Sequence, residues 1–233
     1  MNTQKRLGRF TSSEIYNLTK KDRSGKKFGQ AALTYIEEKN YERKLGRRLT
    51  EQVNARPLDW GNLVEQRAFE VLGLEYQLVS DTTIEHSTMP DIWAGSPDGV
   101  KNGVVMDIKC PYTIKSFCQF YDINDKESLI NNHKSGEQYY WQLVSNAILT
   151  NVDRAELIIY CPYKSELDII RGMAKEQLIK WFDYAIDDEL PYILDNGYYN
   201  HLKIINLEIP LDDKHYLTNC VIEASKLLIP LNS

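Results

Sequence analysis

Ser96-Pro97-Asp98-Gly99, followed after four residues by Val104-Val105-Met106-Asp107-Ile108-Lys109, is the stretch on which the reading of this 233-residue chain turns. Side chains alternate faces along a strand, so Val104, Met106 and Ile108 point one way and Val105, Asp107 and Lys109 the other. An acid and a lysine thus stand side by side at the end of an otherwise apolar strand. Pro111 cannot continue the ladder of a central strand and sets Lys109 near the strand end, where sites in such sheets open. Ser-Pro-Asp-Gly is a turn signature that puts Asp98 at the mouth of the preceding hairpin. From there the carboxylates of Asp98 and Asp107 can converge on one divalent cation, and hard oxygen ligands suit Mg²⁺ or Mn²⁺. Lys109 can then orient a water or stabilise charge developing on a phosphate. Taken singly, Asp98-Gly99 is an ordinary turn and Asp107 with Lys109 an ordinary solvated pair. Their conjunction, in this order and spacing, points to a site.

Around this stretch the elements run helices, strands, helix, strand. Thr11-Ser12-Ser13-Glu14 reads as a helix start with a hydroxyl cap. Helices are expected over 29–45, closed by Gly46, and over 58–72, closed by Gly73. In the second, Trp60, Val64, Ala68 and Val71 form one stripe and Glu65 flanks it. Strands are expected at 74–79, 91–94 and 103–110. A short helix follows at 113–121, then a longer one at 137–149 with Tyr140, Val144, Ala147 and Ile148 on one side and Gln138, Trp141, Gln142 and Ser145 on the other. A buried strand at 155–161, a helix at 166–185, a strand at 201–209 and a helix at 214–228 complete the chain. This pattern predicts an α/β or α+β fold, a central mixed sheet flanked by helices. No repeat, low-complexity tract or linker divides residues 1–233, so a single domain is expected, with a basic helical N-terminal segment (about 1–50) and a helical insertion (about 163–200).

Composition narrows the classes. Hydrophobic residues at 42% and charged residues at 26% exclude a disordered or coiled-coil bulk. No apolar run approaches the ~18 residues of a membrane span, and the N-terminus lacks a secretory h-region. Cys110, Cys118, Cys161 and Cys220 contain no C-x-x-C pair and read as reduced thiols of a cytoplasmic protein, not as zinc or iron–sulfur ligands. His86, His133, His201 and His215 show no ligand spacing. The net charge of −5 hides an asymmetry: residues 1–50 hold 13 Lys and Arg against five Asp and Glu. A basic segment on an acidic body can meet phosphates locally, or be no more than a solvated helix face.

The spacing P-D-x₈-D-x-K resembles the PD-(D/E)xK nuclease superfamily and its restriction-endonuclease-like core. Further pieces resemble phage lambda exonuclease and the YqaJ-type viral recombinase family. These are Arg6-Leu7-Gly8 with Thr11-Ser12-Ser13-Glu14, then Val53-Asn54-Ala55 with Trp60-Gly61 and Glu65. Ser96-Pro97-Asp98-Gly99, Lys109-Cys110-Pro111, and Tyr139 with Gln142 complete the set. The likeness covers roughly residues 5–160. Two features depart from it: the middle acid is Asp107 where relatives often have Glu, and 163–200 is longer than the corresponding stretch of lambda exonuclease.

The resemblance implies a Mg²⁺-dependent 5′-to-3′ exonuclease on linear double-stranded DNA, with Mn²⁺ as substitute and two ions per site. It would leave 3′ single-stranded tails for phage-type recombination. Asp98, Asp107, the backbone carbonyl of Ile108 and Glu65 would hold metal. Lys109 would position the attacking water, Gln142 would support the site, and Arg6 and Ser13 would bind a DNA 5′-phosphate. A single-strand annealing recombinase partner, a homotrimer and a phage or prophage origin in a bacterial host belong to the same implication. Two rival readings stand beside it: a restriction-type endonuclease on the same fold, and a DNA-binding protein that keeps the fold without activity. Gln142 alone is also a packing glutamine, Ser13 a capping hydroxyl and Arg6 a surface charge.

Overall fold

Val104–Lys109 is the middle strand of a five-stranded sheet, buried along most of its length. The molecule is described by a computed structural model covering residues 3–49, 56–73, 77–78 and 82–231. In chain order the elements are β1 (Phe10–Thr11), α1 (Gln30–Leu45), α2 (Arg56–Leu72), β2 (Gln77–Leu78), β3 (Ile84–Glu85), β4 (Trp93–Gly95), β5 (Gly99–Lys101) and β6 (Val104–Lys109). They continue with α3 (Ile114–Tyr121), α4 (Lys126–Asn132), α5 (Gly136–Thr150), β7 (Arg154–Tyr160), α6 (Leu167–Glu176), β8 (Leu202–Glu208) and α7 (Leu211–Ser225).

The larger sheet has the order β2-β5-β6-β7-β8 and is mixed: only β6 and β7 run parallel. A smaller mixed sheet, β1-β4-β3, pairs β1 parallel to β4. The alternation along β6 sorts its side chains between two cores. Met106 and Ile108 pack with Trp60, Leu63 and Val64 of α2 and with Leu167 and Ile170 of α6. Val105 joins the opposite core with Tyr140, Leu143 and Val144 of α5. Asp107 and Lys109, two and four residues beyond Val105, therefore face α5.

Several expectations shift. Thr11 does not open a helix. Phe10–Thr11 pairs with Trp93 and Ala94, the N–H groups of Phe10 and Ser12 donating to the carbonyls of Ile92 and Ala94, and Phe10 is fully buried in the core. The helix that follows is a five-residue 3₁₀ turn, Ile15–Thr19, which begins after Glu14 with no side-chain cap. The helix expected over 166–185 stops at Glu176: Leu178 takes a positive φ of 58°, and short 3₁₀ turns follow. The 163–200 stretch is thus one ten-residue helix with irregular turns. The side of α5 that carries Gln142 and Ser145 is buried as well as its apolar side. The final helix begins at Leu211, three residues early. Val53-Asn54-Ala55 and most of the strand expected at 74–79 lie outside the described residues.

Candidate active site

The β5–β6 hairpin builds the site. Its register sets Gly99 opposite Met106 and hence, one step further along, Asp98 opposite Asp107. Directly opposed residues share a face of the sheet. Asp98 is locked there from across the hairpin, its carboxylate accepting the N–H of Ile108 on β6 at 2.6 Å. Pro97, buried ahead of it, fixes the turn's entry.

Asp107 is 1% exposed, the most enclosed acid of the sheet face. Gln142 Nε2 donates to its Oδ1 at 2.6 Å, and Lys109 Nζ stands 2.5 Å from its Oδ2. Lys109 also donates to Gln142 Oε1 at 3.4 Å and lies 5.1 Å from the Tyr139 ring centre. The three polar groups thus form a closed ring. A buried charge of this kind persists only when it is paired and hydrogen-bonded.

Beside this ring lies a cleft of about 410 Å³. Its walls come from α2 (Gly61, Asn62, Glu65), the end of β6 (Ile108, Lys109), Cys110-Pro111, and α5 (Gln138, Tyr139, Gln142). Ser13 closes one side, its carbonyl accepting the Gln138 amide at 3.2 Å. Glu65 enters half-buried from α2, as expected for a residue flanking the Trp60–Val64 stripe.

The electrostatics follow from three carboxylates around one lysine. Burial, then Asp107, push the Glu65 carboxyl up to about 7, against the pull of Lys109. Burial, Asp107 and Glu65 raise Asp98 well above the ordinary carboxylate value. Burial weakens the charge on Lys109, but Asp107 and Asp98 more than offset it and the ammonium is held tightly. Burial raises the Cys110 thiol, so the sulfur stays protonated and is a poor ligand or nucleophile.

This donor set fits a hard divalent cation, since surplus carboxylate oxygens repelling one another are what such an ion neutralises. Among the described residues no three His, Cys, Asp or Glu side chains are already gathered closely enough to hold one.

Asp98, Asp107, Lys109, Gln142, Glu65 and Ile108 are therefore brought to one place. Arg6 does not line the cleft and is half-buried. Burial and then the charge of Arg48 weaken its guanidinium, while Tyr35, Glu14 and Asp98 favour it. Ser13 does not cap a helix; its hydroxyl lies 3.5 Å from that of Thr11. A helix-dipole contribution to anion binding there falls away with the helix. Sequence reasoning missed the supports of this region. Glu42 and Arg43 of α1 grip Gly8 from both sides, at 2.9 Å on its N–H and 2.7 Å on its carbonyl. Their charge marks them as surface residues by composition, and no spacing signals that both are buried.

Neither a protein-family model nor a curated protein matches the chain. Solved structures do. A phage-related exonuclease from Haemophilus somnus superposes with a TM-score of 0.68 at 16% identity, covering 94% of this chain and 92% of that one. An alkaline exonuclease from Laribacter hongkongensis gives 0.58 at 16% identity, over 96% and 91%. The same enzyme in complex with dAMP gives 0.54 at 17% identity, over 97% and 94%. At such identities the likeness is one of fold.

Proposed function

We propose that this chain is a metal-dependent exonuclease that degrades linear double-stranded DNA from its 5′ ends. The observation that carries the reading is the Asp107–Lys109–Gln142 ring at the end of β6, with Asp98 opposite and Glu65 across the cleft. The likeness in fold to solved exonucleases supports it.

In this reading Asp98, Asp107, the Ile108 carbonyl and Glu65 hold Mg²⁺, or Mn²⁺ in its place, with two ions per site. The bound metal supplies charge stabilisation at the scissile phosphate and a more acidic water. Gln142 fixes the Asp107 carboxylate and, through Oε1, the reach of Lys109. Lys109, held as an ammonium, orients the attacking water and faces the charge that grows on the phosphate. Arg6 and Ser13 receive the 5′-phosphate. We read the whole of 1–233 as one nuclease domain. The biological setting that goes with it is a cytoplasmic phage or prophage enzyme. It forms a homotrimer and leaves 3′ tails for an annealing recombinase.

Digestion of linear and closed circular duplex, with Mg²⁺, Mn²⁺ or excess chelator, tests the reading. Loss of linear DNA only with metal, and survival of circles, is the expected result. Full cleavage in chelator overturns the metal mechanism, and rapid cutting of circles favours the endonuclease rival.

A further inference from the structure

Glu42 of α1 is 4% exposed and spends its two carboxylate oxygens on two different stretches of chain. Oε2 accepts the N–H of Gly8, two residues beyond Arg6, at 2.9 Å. Oε1 accepts the N–H of Leu49, next to Arg48, at 3.4 Å. Lys39, also buried, sits 3.4 Å from both oxygens and 3.7 Å from Glu14, so the negative charge of Glu42 is already answered. One buried carboxylate thus draws together the segments that carry Arg6 and Arg48. Arg43 reinforces the first of them, donating to the carbonyls of Gly8, Asp91 and Ile229.

Arg48 is half-buried, and its Nε is shut off from solvent with no acceptor among the described residues. The charge of Arg48 is felt at Arg6, and leaving nothing to accept from that nitrogen is costly, because a buried donor loses its water without replacement. An anion with several oxygens relieves both the repulsion and the missing acceptor, and a guanidinium fork matches a phosphate.

We propose that Arg48 is a second cationic arm of the DNA-end site, brought beside Arg6 by Glu42, and that it selects ends bearing a terminal phosphate. The inference rests on the reading of Arg6 as a 5′-phosphate residue. The phosphate of a 5′-phosphorylated end is dianionic, whereas an internal phosphodiester carries one charge. Two guanidiniums discriminate between those states more sharply than one.

The test is equilibrium binding in excess chelator, where no cleavage occurs, of a fluorescent duplex ending in 5′-phosphate or 5′-hydroxyl. The proteins are the full-length wild type, Arg48→Gln and Arg48→Lys, each checked by thermal melting. The wild type binds the phosphorylated end more tightly. Arg48→Gln lowers that ratio roughly tenfold, the scale of one charge-assisted hydrogen bond. Arg48→Lys, which keeps the charge but not the fork, recovers part of it. A ratio unchanged in Arg48→Gln overturns the proposal even if both affinities fall together, since that marks a general backbone contact. A wild type that binds both ends alike overturns it too, and removes the end-phosphate reading with it. Metal-dependent cleavage, measured separately, is untouched by either result.

Discussion

Gln142 reaches across from α5 to hold Asp107 of β6, its amide nitrogen 2.6 Å from the carboxylate and its amide oxygen turned toward Lys109. One side chain therefore donates to a carboxylate and accepts from an ammonium at once, as the two ends of an amide allow. Groups that orient ligating carboxylates this way typically account for 10–100-fold in activity or metal affinity. Gln142→Ala is expected to lower kcat by about that factor with DNA binding retained. Gln142→Glu is expected to do worse, because it sets a second carboxylate against Asp107. Single-turnover rates and DNA affinity, measured side by side, check this. A loss confined to affinity counts against the positioning role.

Lys109 is the one ammonium in the ring, and its proton is held by Asp107 and Asp98 against the cost of burial. If it acts on the water and on developing charge, its removal appears in kcat. Lys109→Ala is expected to cut turnover by about 10²–10³-fold, the usual effect of losing a donor aimed at the transition state. DNA binding falls little by comparison. A near wild-type rate for Lys109→Ala removes the residue from the chemistry.

Much of this site is legible in the sequence. The period-2 pattern of residues 104–109 set Asp107 and Lys109 on one face, and Ser-Pro-Asp-Gly set Asp98 at the hairpin mouth. Glu65 was readable from its place beside the Trp60–Val64 stripe. What could not be read depends on distant pairing. Thr11-Ser12-Ser13-Glu14 reads as a helix start because local hydroxyls favour a cap, and only the pairing of Phe10–Thr11 with β4 places Thr11 in a strand. The α4 helix, Lys126–Asn132, is not legible in the sequence: seven residues carry too few turns for a period, although Asp125 caps it through the Ser128 N–H. The burial of Lys39, Glu42 and Arg43 runs against their composition and follows from contacts far away in sequence.

Gly136 opens α5 where that helix crosses close to α4. A Cβ there would lie 1.8 Å from the Leu129 carbonyl oxygen and 2.6 Å from its carbon, both backbone atoms that cannot swing aside. Gly136→Ala must therefore push the two helices apart. The expected cost is about 3 kcal/mol, at the upper end of overpacking effects. Because α5 carries Gln142, activity falls further than stability alone requires. Denaturant unfolding and kcat at a temperature where the variant is folded separate the two. Wild-type stability in Gly136→Ala contradicts the close approach.

Glu166 gathers four partners behind the active site: the Tyr163 N–H at 2.9 Å, the Tyr160 hydroxyl at 2.9 Å, Arg67 of α2 at 3.0 Å, and His201 Nδ1 at 3.2 Å. Burial by itself raises this carboxyl, but the Tyr163 N–H, His201, Tyr160 and Arg67 outweigh it and hold it below its ordinary value of 4.5. A depressed folded value fixes the sign. The stabilisation is complete above the unfolded carboxylate value and is lost as pH falls through the folded one. Wild-type melting temperature is therefore expected to drop below pH 4.5 faster than that of Glu166→Gln, the two curves converging in acid. At neutral pH, Glu166→Ala is expected to cost about 3 kcal/mol, the scale of breaking a buried ion pair. Arg67 lies two residues from Glu65 on the same helix, so the loss also loosens the wall of the cleft. Parallel melting curves for wild type and Glu166→Gln across pH 3–7 would show that the carboxylate contributes nothing through its charge.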